Sequence, residues 1–563
     1  TSITTSAAST IAGIPFYSAD DSIYTHDVSG TDSTAEANAA YGIGALDAIT
    51  TGDANTAIGN GALSGNTTGV ENTAIGKAAM NVSTTASYNV AVGNNAGAAM
   101  TEGSLYNTFV GHSSGTAATG ANKSVLVGYQ AGAAITTGGH NLMIGYQAGD
   151  GFDTEAHNLG IGEAALGGSV AGGEQNVAIG NFSLDALTSA DACVAVGYQS
   201  GSAITTGANN VLMGYNVGAS ITTGANNTFF GHQAGDGFDT ENHNLGIGTN
   251  ALGGPVAGGE QNVAIGNNSL DALTSGDNNT AVGYSAGSGL TTGSQNIFIG
   301  ENAGSNAPVT GDDNTVVGKS AGANISSGHS NVFMGRDAGG ETTDGIYNTF
   351  IGYQAGKANI GADQNTFLGR AAGTANTTGS VNIAIGDGAY DAADTESNNL
   401  AIGVNALGGA VAGGENNVAV GNTTLDALTS GDDNVAIGYG AGGAITTGGF
   451  STMVGRNAGA SMVDQRITAV GYYAGANSTA NQNNFFGFNC GSGNTSGQDN
   501  IAMGYNALYQ PDTEDHNLAI GNAAMGGAIA GGEFNVAIGN NALDALTSGD
   551  NHTAIGYQAG SAL

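Results

Sequence analysis

The hydrophobic pattern of this chain repeats with a period of about 17 residues. From Asn38 to His552 the five-residue phrase Asn-x-(Ala or other apolar)-(Ile/Val)-Gly occurs 31 times, each time closing an apolar run with glycine and opening a polar, variable stretch. The Asn141-Leu142-Met143-Ile144-Gly145 copy is representative, and its successor opens at Asn158. Three apolar residues bounded by Asn and Gly read as a short strand, and a fixed internal period of this length marks one structural unit stacked many times. The predicted fold is all-β: a parallel β-solenoid of about 31 coils over residues 38–563, preceded by a non-repeating segment, 1–37. That segment reads as an N-terminal arm or cap, and as a candidate assembly joint.

Position-specific meaning follows from the residue types. The first phrase position is Asn in 26 copies, and stacked amides, which both donate and accept, predict a hydrogen-bonded ladder through Asn55, Asn72, Asn141, Asn262 and Asn434. The fifth position is Gly in all 31 copies, which predicts a turn needing positive φ or close backbone approach at Gly59, Gly76, Gly145, Gly266 and Gly438. The fourth position is always apolar and is expected to form a buried core stripe, represented by Ile58, Ile75, Ile144, Ile265 and Ile437. The third position is also apolar or Gly. Because neighbouring strand residues face opposite ways, both faces of the strand need cover. One face can fill the coil interior, and the other calls for a second surface, so a homo-oligomer, a trimer, is expected.

Spacing between copies is 17 in most cases, 18 after Asn89, Asn158, Asn244, Asn296, Asn399 and Asn517, and 16 after Ser451 and Ile467. Longer text recurs as well: blocks opening at His157, His243, Asn398 and His516 run through a Gly-Gly-Glu loop, as duplication of whole coils would produce.

Composition narrows the function classes. Eight Lys+Arg against 45 Asp+Glu give a net charge of -37, so nucleic acid and anionic membrane surfaces are repelled. No apolar run is long enough to span a bilayer as a helix. The two cysteines, Cys193 and Cys490, lie 17 repeats apart, roughly 80 Å at about 4.8 Å per stacked strand, too far to pair.

Candidate chemistry is sparse, and no catalytic or cofactor-binding residue is assigned. Gly111-His112-Ser113-Ser114-Gly115 matches the nucleophile-elbow pattern but occupies the slot that reads Gly-Tyr-Gln-Ala-Gly elsewhere. Acidic clusters at Asp153/Glu155, Asp239/Glu241 and Asp512/Glu514 are weak candidates for Ca²⁺, the one cofactor weighed. Thr-Thr pairs such as Thr136-Thr137 and Thr205-Thr206 raise an ice-binding alternative.

The phrases Asn-Thr-Ala-Ile-Gly and Asn-Val-Ala-Ile-Gly resemble the head repeats of trimeric autotransporter adhesins, and are similar to shaft repeats of some bacteriophage tail fibres. The likeness covers about residues 38–563. It implies a trimeric, left-handed parallel β-roll that displays binding surfaces away from a cell or virion, with self-association and a surface target as partners. The repeat is longer than the usual adhesin head repeat, and no heptad stalk or anchor barrel accompanies it. The expectation is thus a non-enzymatic extracellular fibre protein on a cell or virion surface, stiff and adhesive, with an end-to-end filament subunit or a phage shaft as alternatives.

Overall fold

The computed structural model describes residues 9–11, 14–19, 22–24, 34–169, 172–255, 258–410, 413–463, 466–510, 513–528 and 531–563. No helix occurs among them. The chain divides into two compact units, residues 1–279 and 280–563. Each unit is a parallel β-solenoid in which every coil contributes one three-residue strand. The series runs from β4 (Ala39–Tyr41) to β17 (Val263–Ile265) in the first unit and from β18 (Thr280–Val282) to β34 (Thr553–Ile555) in the second. Strands pair in parallel with the repeat as register, so that Leu142 lies opposite Val125 of the preceding coil and Leu159 of the next.

Before the array, β1 (Ser9–Ile11), β2 (Ile14–Ala19) and β3 (Ser22–Tyr24) pair antiparallel in sequence, and β3 then joins β4 in parallel. The edge of the first coil is therefore paired with β3, through Ile23 with Ala39 and Tyr24 with Ala40, and β2 and β1 extend the sheet beyond it.

The strand pleat decides what is inside. Only the middle residue of each phrase strand, the third position, is fully enclosed: Ala57, Ala74, Met143, Ala264 and Ala436 are all buried. The second and fourth positions share the opposite face, as a two-residue period requires. Ile58, Ile75, Ile144, Ile265 and Ile437 are therefore not core residues of the coil but point outward, 36 to 42 % exposed. A coil of 17 residues encloses one narrow interior, and that space is taken by the third position, by the buried first-position Asn, and by the eighth, ninth and twelfth positions. Ala148, Gly149 and Phe152 fill the last three sites in the coil that opens at Asn141.

Size complementarity between the third and ninth positions sets the core. The ninth residue has φ near +50 to +60 in every well-formed coil. It is Gly where the third residue is large: a Cβ on Gly235 would stand 2.3 Å from the Phe229 ring, and one on Gly373 2.4 Å from Phe367. Where the third residue is Ala or Gly, the ninth is Leu, Met or Tyr in 13 coils, despite the backbone cost of a left-handed conformation, as in Ala57 with Leu63 (φ 50) and Gly246 with Leu252 (φ 53), and Gly in the other six, as in Ala91 with Gly97. Three coils carry Phe at the third position in succession, and Phe333, Phe350 and Phe367 stack 5.0 Å apart.

Candidate functional site

Three kinds of side chain line the coils: those that bind coil to coil, those that anchor loops, and those that face solvent in rows. The first-position amides belong to the first kind. Asn55 Oδ1 accepts the backbone N–H of Asn72 at 3.0 Å, and Asn55 Nδ2 donates to the Gly69 carbonyl at 2.8 Å. Asn72 repeats this on Asn89 and Ala86, Asn141 on Asn158 and Glu155, Asn262 on Asn279 and Gly276, and Asn434 on Ser451 and Gly448. Each amide thus staples its coil to the backbone of the next, and direct amide-to-amide bonds, such as Asn72 Nδ2 to Asn55 Oδ1 at 3.1 Å, are added in some coils. Exceptions keep part of the pattern: Ser124 Oγ accepts the Asn141 N–H at 3.2 Å, and the Cys193 thiol donates to the Gly207 carbonyl at 3.3 Å.

The phrase glycines are held by two separate constraints. Gly59, Gly76, Gly145, Gly266 and Gly438 have φ between 131 and 144°. A Cβ on Gly145 would also lie 2.2 Å from the Gly162 carbonyl oxygen of the next coil, and one on Gly59 2.5 Å from that of Gly76. No other residue combines that φ with that clearance.

The acidic clusters are loop anchors. Glu155 is buried, and its carboxylate accepts the N–H groups of Asp153 (2.8 Å) and Thr154 (3.0 Å) in its own corner and of Gly172 (3.0 Å) in the following coil. Glu241 does the same with Asp239, Thr240 and Gly258, and Glu514 accepts from Thr513 and Gly531. Glu396, which the motif search did not single out, is a fourth member, bound to Asp394, Thr395 and Gly413. Asp153 and Asp239 are exposed and accept the hydroxyls of Thr136 and Thr222. Asp512 lies outside the described residues. Among the described residues no three His, Cys, Asp or Glu side chains are grouped to hold a metal ion.

Two other motifs resolve into scaffold. Ser113 stands at the seventh coil position with φ 57; its Oγ meets His112 Nδ1 at 3.0 Å on the surface, and His112 stacks on Tyr129. The first threonine of several Thr-Thr pairs bonds its hydroxyl to a carbonyl one coil further on, as Thr205 does to Thr222 at 3.1 Å and Thr291 to Val309 at 3.1 Å. Those hydroxyls knit corners together.

The third kind forms the outward rows. The second and fourth positions carry no charged residue in any of the 31 copies, in a chain with 53 charged side chains. The sixth position, just past the turn, bears aromatic stacks: His112–Tyr129–Tyr146 at 5.3 and 5.2 Å, Tyr198–Tyr215–His232 at 5.4 and 5.3 Å, and Tyr472–Phe488–Tyr505 at 4.9 and 5.2 Å. Ion pairs occupy the same row, Lys319–Glu301 at 2.9 Å and Arg370–Asp387 at 2.8 Å. Sequence reading missed this row because it lies beyond the phrase and alternates between rings and charges. Its signal is the fixed offset after Gly.

This geometry defines a repeat scaffold of the β-solenoid class. The chain matches no known protein-family model and no curated protein.

Proposed function

We propose that this chain is a non-enzymatic extracellular structural protein in which each solenoid unit is a stiff spacer, and that it assembles with two further copies through the charge-free strand face. The observation that carries this reading is the outward Ile/Val row. A sustained apolar row is uncommon on a monomer, and here the fourth-position row, beside a second position that is apolar or a neutral Thr or Asn, is kept free of charge while acidic residues crowd the other surfaces. At about 4.8 Å per coil and about 7 Å of strand width, the 14 coils of the first unit offer roughly 470 Å² and the 17 of the second roughly 570 Å², so an interface of the standard size, roughly 800 Å² per partner, also draws on the side chains flanking the strand. The likeness of the phrase to adhesin-head and tail-fibre repeats supports three as the number of copies and a cell or virion surface as the place. Recognition of a surface target then falls to the corners and loops where the repeat varies.

Electron microscopy of the purified chain tests this reading. Thin particles of uniform length are expected; a compact globule contradicts it, and filaments of indefinite length replace it with end-to-end polymerisation.

A further inference from the structure

In an array of 31 copies, the repeat is its own control, and one place departs from it in several respects together. The coils opening at Ser451 and Ile467 are each 16 residues long, and both replace the ladder Asn. The missing residue falls at the same corner in each: four residues follow the twelfth position, Met462 or Ser478, where five follow Ile445 in the preceding coil and Asn494 in the next. A cavity of about 500 Å³ lies beside this part of the array, a notch lined among the described residues by the 447–450 turn, Arg466, Asn481 and Gln482. That volume is within the usual range for small-ligand sites.

The lining has a definite chemistry. Arg466, at the end of the first short coil, is exposed, and its guanidinium sits 5.5 Å from the centroid of the Phe450 ring. Phe450 is still 63 % exposed. Asn481 and Gln482, at the corner of the second short coil, are both exposed, and the Gln482 N–H donates to the Arg466 carbonyl at 2.9 Å, fixing the two corners together.

We infer that this notch binds a single acidic sugar unit carried on an otherwise neutral glycan. The guanidinium fork matches a carboxylate in two parallel hydrogen bonds, the two amides match hydroxyls as both donors and acceptors, and the open ring offers an apolar surface to the C–H face of a pyranose. The exposed Asp432 and Asp499 lie one coil from the lining, joined through their backbones to Phe450 and Asn481, and repel a polyanionic polysaccharide, whereas a lone carboxylate meets the Arg466 fork directly. The inference deepens the fibre reading by naming the class of target, and it rests on that reading only for where the target is met.

The test is binding of the full chain to a neutral oligosaccharide ending in one uronic acid, compared with the same oligosaccharide after reduction of its carboxyl. The acidic form is expected to bind at least tenfold more tightly, Arg466→Gln to abolish the difference, and Arg466→Lys, which keeps the charge without the fork, to fall between. Arg456→Gln, which removes an arginine stacked on Tyr439 outside the notch, is expected to change nothing. Equal binding of the two sugars, no binding of the acidic one, or unchanged preference in Arg466→Gln overturns the site. Solution mass of the same samples separates the two proposals: a monomer with Arg466-dependent binding keeps the site and refutes the assembly, whereas a trimer without acid preference does the reverse.

Discussion

At the residue scale, the ninth coil position shows how strain and packing are balanced. A left-handed backbone is tolerated there by Leu because the side chain then fills the space that a small third residue leaves. Phe229→Ala should therefore cost about 3–5 kcal/mol as a core truncation, and adding Gly235→Leu should recover more than half of it, since Leu already takes that φ in other coils. Urea midpoints of the two variants check this. A double variant weaker than the single one would show that the exchange depends on more than volume. A second residue-scale test uses Asn359, fully buried at the twelfth position with neither side-chain oxygen nor nitrogen bonded. Ile or Leu holds that position in Ile325 and Leu290, so Asn359→Leu should stabilise by about 1–3 kcal/mol, the desolvation cost of an unpaired polar group. The buried cysteines supply a third. Burial pushes the Cys490 thiol up to about 12 and the Cys193 thiol in the same direction, so both should resist alkylation at pH 8 in the folded chain and react once it unfolds.

At the scale of the element, the coil was partly legible from the sequence. Asn and Gly carry position-specific information because an amide accepts from one backbone group and donates to another at the reach between coils, and only glycine fits the turn. Burial was not legible in the same way. Ile and Val at the fourth position look like core residues by hydrophobicity, yet strand alternation places them outside, and the small Ala of the third position fills the interior. The twelfth position was hidden for the opposite reason: Ile135, Phe152, Asn359 and Thr342 occupy it in different coils, so no single residue type marks it. Glu155 and its equivalents looked like metal ligands because carboxylates near His suit either role, and only the backbone N–H groups around them separate the two. Glu241→Ala should accordingly raise hydrogen exchange at Gly258 while leaving the coils on either side protected.

For the whole molecule, six half-buried aspartates at the tenth coil position share one perturbation. Burial raises the carboxyl of Asp150, Asp185, Asp236, Asp271, Asp391 and Asp426 above the ordinary aspartate value. In the window between that value and the raised ones, the folded chain binds more protons than the unfolded chain, so stability increases as pH falls through it. Relief of repulsion within a chain of net charge -37 acts in the same sense. Tm should rise on acidification from pH 7 to about pH 4.5.

The central claim is that the charge-free strand face is covered by other copies of the chain, and solution mass by light scattering tests it most directly. The account predicts three times the 54.7 kDa chain mass for the unmodified protein, and a folded monomer when Ile265 and Ile437 are both changed to Lys. An unmodified protein that remains at 54.7 kDa at micromolar concentration would contradict it.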